Sequence, residues 1–509
     1  MKIEHAGVLC ALRPAGRRCT QPAGIEAAAP DPRQRAAVRR AAGTALLVLA
    51  PLLLAGCLTV APQHRPAVPL ALPAPAWIAP LPHGGEVGVL QRWWQQFDDP
   101  LLGEIVQAAQ AANPTLAAAG ARIAQARATG VAAGAARGPL LDGSAGLSRG
   151  RATPGVPVAT SLSAALQAGW EIDLFGGRAA VADAAAARLE SAQAGWHEAR
   201  VSVAAETGAM YVNLRACEAQ LRKVELDAAS RGETARLTEM AARGGMQPRA
   251  SADLSRASAA QARAGIVQQR SVCDSAVKAL VVLTDIPEPA LRERMAARRA
   301  QLPQPMTLAV DQVPAAALAQ RPDLYAAERD VVAASAEVAN AEAQRLPRIG
   351  LAGSLGAGRS EFGGLSSSGA VWNLGPLAIS MPIFDGGARR ADAAAARARY
   401  DAAVALYAAR LRNAVREVED GLLTLQSCAL REPDLRAAAE GYERSYEAVQ
   451  TRQRAGVATL FELEDARRTS LVAQSVLIEL QRERIAAWIS LYRSLGGGWT
   501  AETTRVAAK

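Results

Sequence analysis

One unit is written twice in this 509-residue chain, and that repeat limits what it can fold into more than any other feature. Asn113-Pro114-Thr115-Leu116 recurs as Arg321-Pro322-Asp323-Leu324, a shift of 208. The Ala-rich helical pattern after each copy stops before a proline, Pro139 and Pro347, again 208 apart. Glu171-Ile172-Asp173-Leu174-Phe175-Gly176-Gly177-Arg178 then matches Pro382-Ile383-Phe384-Asp385-Gly386-Gly387-Ala388-Arg389 at a shift near 211, and Arg243-Gly244-Gly245-Met246 matches Arg454-Ala455-Gly456-Val457 at 211. Ala-rich helices that resemble one another by chance would not keep proline, glycine and arginine landmarks in step. A duplicated unit with a few inserted residues would.

Within each unit the hydrophobic period switches. From Ser161 to Leu174 the even positions are Leu162, Ala164, Leu166, Ala168, Trp170, Ile172 and Leu174, while the odd ones are mostly polar or small. That alternation predicts a strand with one oily face. A preceding strand from Pro139 to Gly150 carries Leu141, Ala145 and Leu147 on one side. In the second unit Ile349, Leu351 and Leu355 mark one strand, and Leu377, Ile379, Met381 and Ile383 its partner; the Gly/Ser/Pro-rich segments 151–160 and 359–369 read as turns or loops. Two hairpins, or four strands, follow. Such alternation suits a half-buried sheet in a soluble domain or a barrel wall facing lipid. Four strands cannot close a barrel, and open edges are forbidden in hydrocarbon, so a membrane sheet has to be shared by several copies.

A long helix follows each hairpin. Arg178 to Arg243 contains no proline and, if continuous, reaches about 100 Å. Ala388 to Arg454 is similar, although Pro433 should kink or interrupt it. Each turns near a glycine, Gly245 or Gly456, and returns as a second helix over about 249–284 and 459–495. Cys217 and Cys273 lie 28 residues before and 28 after Gly245, at one height in an antiparallel hairpin, which predicts a disulfide in an oxidising compartment. Cys428 is the counterpart of Cys217, but Arg484 stands where Cys273 would recur, so Cys428 should stay free.

Composition removes other classes. The formal charge of +9 includes +5 from residues 1–56, leaving +4 on the rest with no basic stripe interleaved with aromatics, so a nucleic-acid partner is not indicated. Of four histidines, His5, His64 and His83 lie in the leader or the Pro-rich stretch that follows it. His197 alone cannot build a His-based zinc site, and no serine or cysteine has an activating His/Asp set, so neither an enzyme nor a cofactor is expected. Near the start, Arg39 and Arg40 precede an apolar run from Thr44 to Leu54 that Pro51 breaks and that is too short to span a bilayer. It ends in Leu54-Ala55-Gly56-Cys57, which resembles the lipobox of bacterial lipoproteins. That resemblance implies acyl chains on Cys57 as the first mature residue, and Leu58 after it implies the outer membrane. The alternative is a single transmembrane helix.

Trp93-Trp94-Gln95-Gln96-Phe97-Asp98-Asp99-Pro100-Leu101-Leu102 resembles the entry motif of the outer-membrane factor (TolC-like) family, specifically its NodT-type lipoproteins. So do Trp170-Glu171-Ile172-Asp173-Leu174, Pro382-Ile383-Phe384-Asp385-Gly386-Gly387 and Leu495-Gly496-Gly497-Gly498-Trp499. The resemblance implies an α+β, TolC-like fold: a homotrimer whose four strands per protomer make a twelve-stranded barrel in the outer membrane, with long helical hairpins forming an α-barrel through the periplasm. It implies a passive exit duct of a tripartite pump, working with a periplasmic membrane-fusion adaptor and an inner-membrane transporter, most often of the resistance-nodulation-division type. The hairpin tips near Gly245 and Gly456 would then be the gate and the adaptor surface. Glu462 and Asp465 occupy positions where the family often carries acids. Three copies would make carboxylate rings held by Arg454 or Arg467, although ordinary solvated helix charges account for the same residues. The first unit departs from this pattern, with Ser251 at the expected acid and Asp253 two residues on.

The resulting organisation is a leader and signal at 1–56, a lipid-bearing Pro-rich segment at 57–92 and a first repeat at 93–300, with strands about 139–174 and a hairpin at 178–284. The second repeat spans 301–499, with strands about 347–384 and a hairpin at 388–495, and a tail covers 500–509. Seven prolines between Pro62 and Pro82 should keep that stretch extended, near 3.1 Å per residue, carrying the chain to a belt where Trp93 and Trp94 dock. An exit duct for type I protein secretion and a poreless periplasmic coiled-coil strut remain as alternatives. The 37 residues before Val38 have no role in this architecture, and a GTG start codon would place initiation at Val38. Peptide mapping of the unprocessed precursor is expected to recover nothing from 1–37; peptides from that stretch would defeat the idea.

Overall fold

The computed structural model describes Trp94, 97–151, 154–304, Leu318 and 320–499. The signal, Cys57, the Pro-rich stretch, Trp93 and the tail lie outside the described residues. Two helices open the described chain, α1 (Pro100–Ala112) and α2 (Pro114–Ala135). The hairpin β1 (Leu140–Gly150) and β2 (Ala159–Ile172) follows, then α3 (Gly177–Arg243), α4 (Arg249–Thr284) and the short α5 (Glu288–Ala296). The second repeat consists of α6 (Pro322–Ala343), β3 (Arg348–Phe362), β4 (Leu365–Ser380), α7 (Ala388–Arg454) and α8 (Leu460–Ser494).

The repeat shows in element lengths. Helices α2 and α6 both have 22 residues. Helices α3 and α7 both have 67, about 100 Å each. Each long helix begins after a glycine in the left-handed region, Gly176 at φ +73 and Gly387 at φ +92. Carboxylates cap both starts: Asp173 accepts from the Ala179 amide at 2.7 Å, and Asp385 from the Gly387 amide at 2.9 Å.

Three boundaries differ from the sequence reading. Pro433 does not interrupt α7, which runs through it as one helix. Both Pro433 and Ala429, whose carbonyl loses its amide partner, are exposed, so water can satisfy that oxygen. Segment 359–369 is mostly strand, because the two-residue turn Gly363-Gly364, both at positive φ, lets β3 and β4 stay paired up to Phe362 and Leu365. Strand β4 ends at Ser380, which leaves Met381 and Ile383 in the loop before α7.

The four strands form one antiparallel sheet in the order β1-β2-β3-β4. The helices pack as antiparallel pairs, α3 with α4 and α7 with α8, and α8 lies along α3. The largest apolar cluster sits midway down α3, where Phe97, Leu102, Ile105, Tyr211, Leu214, Leu280, Leu291, Leu422, Ile485 and Leu491 meet. Buried ions tie this belt together. Arg215, 0% exposed, donates to Glu218 at 3.0 Å, to the Met295 carbonyl at 2.9 Å and to the Tyr211 hydroxyl at 3.1 Å. Tyr211 donates to Asp99 at 2.5 Å, and Asp99 also caps α1. Burial and this bond to Asp99 push the Tyr211 hydroxyl well above its ordinary range, so it stays neutral, donating to Asp99 while accepting from Arg215. Arg321 plays a similar part in the second repeat, reaching Asp323 at 2.8 Å, Glu417 at 2.9 Å and the Ser494 carbonyl at 2.8 Å. Removing one member of such a set would strand a buried charge, at about 3–5 kcal/mol.

The closing glycines belong to the same belt. A Cβ at Gly496 (φ +79) would lie 2.2 Å from the Gln320 carbonyl oxygen, and one at Gly497 (φ +61) 2.6 Å from Val201. Trp94 fills the space that a side chain at Gly208 would need, 2.6 Å from the ideal Cβ position.

On the first hairpin Cys217 and Cys273 are joined as a disulfide, Cα–Cα 5.6 Å, about 40 Å above the turn at 28 residues from Gly245. Cys428 is buried and free. The chain-entropy estimate for a loop of this size is about 4 kcal/mol. Cys217→Ser with Cys273→Ser should therefore lower the urea midpoint of unfolding, and an unchanged midpoint with unchanged slope would refute a stabilising role.

Candidate functional site

The cross-strand register decides what the sheet can face. Leu147 pairs with Leu162, which pairs with Arg359; Leu166 pairs with Leu355, which pairs with Trp372; Trp170 pairs with Leu351, which pairs with Leu377. Partners across a ladder share a face. One face therefore carries Leu141, Ala145, Leu147, Leu162, Leu166, Trp170, Ile172, Ile349, Leu351, Leu355, Trp372, Leu374, Leu377 and Ile379. The opposite face carries Asp142, Ser144, Ser148, Ser161, Ser163, Gln167, Ser354, Ser360 and Asn373, with Val371 its one large apolar residue between the ends. A bulge keeps the oily face continuous. Two steps along β3, from Leu351 to Gly353, oppose three along β4, from Leu374 to Leu377, and the extra residue moves the apolar phase from even to odd positions. Pro376 sits in this bulge on an edge strand, where its missing amide is tolerated.

Among the described residues nothing covers most of the oily face. Leu147 is 72% exposed, Trp372 73% and Leu374 80%. From Leu162 to Trp170 the apolar band spans about 26 Å along the strand, the height of a hydrocarbon layer. Its far end closes on the Arg359–Glu361 ion pair at 2.8 Å. Its helix-side end closes on Trp170, whose indole N–H donates to the Arg137 carbonyl at 3.0 Å. An aromatic ring with a polar handle is the side chain expected at a membrane interface. Strands β1 and β4 are the edges of this sheet, with one row of ladder groups each left unpaired among the described residues.

At the other end the hairpins turn through Gly245 (φ +72) and Gly456 (φ +76). Both turns have the same hydrogen bonds: the Met246 amide donates to the Ala241 carbonyl at 2.9 Å, and the Val457 amide to the Arg452 carbonyl at 2.9 Å. The acids singled out in the sequence have local partners here. Glu462 closes a capping box with Thr459, accepting its amide at 2.8 Å. Asp465 pairs with Arg468, and Asp253 with Arg256. The Ser251 carbonyl accepts the Ser255 hydroxyl at 2.9 Å. Arg454 is exposed in the last turn of α7. Arg467 instead leaves its own hairpin, donating to the Leu226 carbonyl on α3 at 3.0 Å from above the Tyr446 ring.

Arg467 belongs to a ladder between the hairpins whose other members the sequence did not reveal. Thr234 donates to Glu464 at 2.6 Å and Ser230 to the same carboxylate at 3.5 Å. Gln220 donates to the Ser475 carbonyl at 2.9 Å, and Arg482 to Asn213 at 3.0 Å. Glu464 is the rung nearest the tips. Among the described residues no group of histidine, cysteine and acidic side chains could hold a metal, and no helix is long and apolar enough to cross a membrane. The latter says nothing of a β-barrel.

A family model described as outer membrane efflux protein matches residues 105–284 and 313–497. The chain belongs to the outer membrane efflux protein family. The pyoverdine export outer membrane protein OpmQ of Pseudomonas putida is 30% identical over 471 residues, covering 90% of this chain and 98% of that one. The solvent efflux pump outer membrane protein SrpC of Pseudomonas putida is 28% identical, covering 89% and 98%. Among solved structures, the outer-membrane channel OprN superposes with a TM-score of 0.72 at 28% identity, over 80% of this chain and 92% of that one. The open state of the Neisseria gonorrhoeae MtrE outer membrane channel gives 0.68 at 27%, over 79% and 90%. The α+β, TolC-like architecture that the resemblance implies is the one this outer membrane efflux protein adopts.

The inter-hairpin ladder predicts where tip mutations act. Glu464→Ala, which strips the lowest rung, should raise the leak of the resting channel in planar-bilayer recordings. Glu462→Ala and Asp465→Ala test the carboxylate rings: unchanged leak and cation selectivity in both would sink the rings, and an unchanged leak in Glu464→Ala would sink a part for the ladder in holding the tips closed.

Proposed function

We propose that the protein is the passive outer-membrane exit duct of a tripartite efflux pump for small molecules, assembled as a homotrimer. The single observation that carries this reading is the sheet, whose aligned apolar face and two open edges are viable in a bilayer only when copies complete one another's edges. Three protomers supply the twelve strands of a closed barrel, and their helices continue it as an α-barrel through the periplasm. Small residues on the polar face, such as Gly146, Ser163, Gly356 and Gly358, suit the crowded inner wall of a small closed barrel.

The duct does no chemistry and takes no cofactor. Energy comes from an inner-membrane transporter of the resistance-nodulation-division type, through a periplasmic membrane-fusion adaptor that engages the tips around Gly245 and Gly456. Acyl chains on Cys57 give the mature protein a second hold on the outer membrane beside its barrel. Names such as pyoverdine export and solvent efflux among the relatives favour small molecules over a type I secreted protein, and the open-edged sheet disfavours a poreless strut.

Purified full-length protein should run as a heat-modifiable trimer and conduct ions in planar bilayers, and Cys57→Ala should abolish incorporation of labelled palmitate. A monomer without conductance would overturn the channel, and undiminished labelling of Cys57→Ala would overturn the lipid site.

A further inference from the structure

The duplicated unit contains its own template for a contact that one protomer cannot make. In the first repeat, the junction between β2 and α3 (residues 171–178) nests against the junction between α6 and β3 (340–348). Glu171, Asp173, Gly177, Asn340, Ala343 and Pro347 line the cleft between them. The fit is close: a Cβ at Gly177 would stand 3.1 Å from the Ala343 Cβ and 3.6 Å from the Asn340 side-chain oxygen.

Adding 211 to the first and subtracting 208 from the second gives the corresponding pieces of the other repeat. They are the junction between β4 and α7 (382–389) and the junction between α2 and β1 (132–140). These lie at opposite edges of the sheet, since β1 and β4 are its two outer strands. Helix α3 packs on both α2 and α6, whereas of those two α7 has only α6 among its principal neighbours.

Exposure records the missing contact. Of the 22 residues of α6 ten are buried, but only Leu116 and Ala119 of the 22 in α2. Ala343 is buried and Pro347 half-buried, while their counterparts Ala135 and Pro139 are exposed. On the other side Ile172 and Asp173 are half-buried, yet Ile383 is 96% exposed and Phe384 92%. Facing them in the repeat frame is Leu140, the counterpart of Arg348, 63% exposed.

We infer that the 382–389 junction of one protomer docks on the 132–140 junction of a second copy of this chain, repeating between chains the contact that 171–178 makes with 340–348 within one. This rests on the trimer proposed above. The chemistry has changed with the setting. The intrachain contact is polar, with Glu171, Asp173, Asn340 and Gln344. The interchain one is apolar, with Ile383, Phe384, Ala132, Ala135 and Pro139. A one-residue displacement of the capping acid accounts for part of this, because Asp385 caps α7 from the position equivalent to Leu174, which leaves Phe384 where Asp173 stood. Sizes compensate too: the pair Gly177 and Asn340 becomes Ala388 and Ala132. Continuity with the β1 and β4 edges, which need the same neighbour, makes a second copy of this chain the occupant.

The template pair Gly177 and Ala343 maps onto Ala388 and Ala135, within the Cβ separation that a disulfide can bridge after slight relaxation. Full-length protein carrying Ala388→Cys and Ala135→Cys, oxidised in its native membrane by dissolved oxygen, should give two- and three-chain bands on denaturing gels that dithiothreitol collapses. Each single variant should run as one chain. An intact trimer with no such ladder would overturn this seam and leave the trimer standing, whereas an unmodified protein that forms no trimer would overturn both. Should the double variant fail to assemble, Phe384→Ala decides: a lowered heat-dissociation temperature of the trimer supports the seam, and an unchanged one overturns it.

Discussion

An unpaired strand edge in hydrocarbon is the constraint on which the rest of this structure depends. The sheet places fourteen or so apolar side chains on one face through register alone, and that face is compatible with lipid. Its two outer strands are not. Each backbone group left without a partner away from water costs several kcal/mol, so closure by further copies is a condition of the fold rather than an addition to it. The repeat works under this constraint. Two units give four strands and four long helices per chain, so a few copies suffice to close both the sheet and the helical wall.

Below the sheet the chemistry of cohesion changes. The α3/α4 and α7/α8 pairs are Ala-rich and bury few large side chains near their tips. Rigidity comes from the belt midway down, where Arg215 and Arg321 are each held by carboxylates and carbonyls in a well-packed apolar setting. From that belt toward the tips the hairpins are joined by a sparse ladder ending at Glu464. A thin set of polar links between long, otherwise self-contained hairpins is an arrangement that can part without unfolding either of them. The two hairpins also differ at one height. The first is closed by the Cys217–Cys273 bond, while the second has the Arg484–Glu432 and Arg431–Glu483 ion pairs, at 2.7 and 2.8 Å.

Much of this could be read from residues. Helix limits at Arg243 and Arg454 follow from turns through Gly245 and Gly456 in left-handed backbone that glycine adopts readily, and the cysteine spacing around Gly245 locates the two sulfurs at one level. The misreadings share a cause. Pro433 was expected to kink or interrupt α7, and the helix is not interrupted, because an exposed helix with tertiary support absorbs one missing bond. Segment 359–369 looked like loop because serine and glycine are turn formers, yet the polar wall of a barrel uses those same small residues in strands. The phase change at Gly375-Pro376 hid the upper half of β4, since a bulge reverses which positions point to the oily face. The tip acids Glu462 and Asp465 were legible as charges, but their local partners Thr459 and Arg468 were not part of that reading.

By itself the sequence determined the duplication, the switch from a period of two to that of a helix, and the landmarks where each element turns. These are local properties, set by backbone sterics and side-chain alternation within a few residues. The tertiary structure alone decided which helices lie side by side, and hence that Glu464 meets Thr234 and Arg467 meets Leu226 across more than 200 residues of chain. It alone showed that the same junction is covered in one repeat and bare in the other. Neighbourhood across the fold depends on how whole elements pack, and no local pattern encodes it.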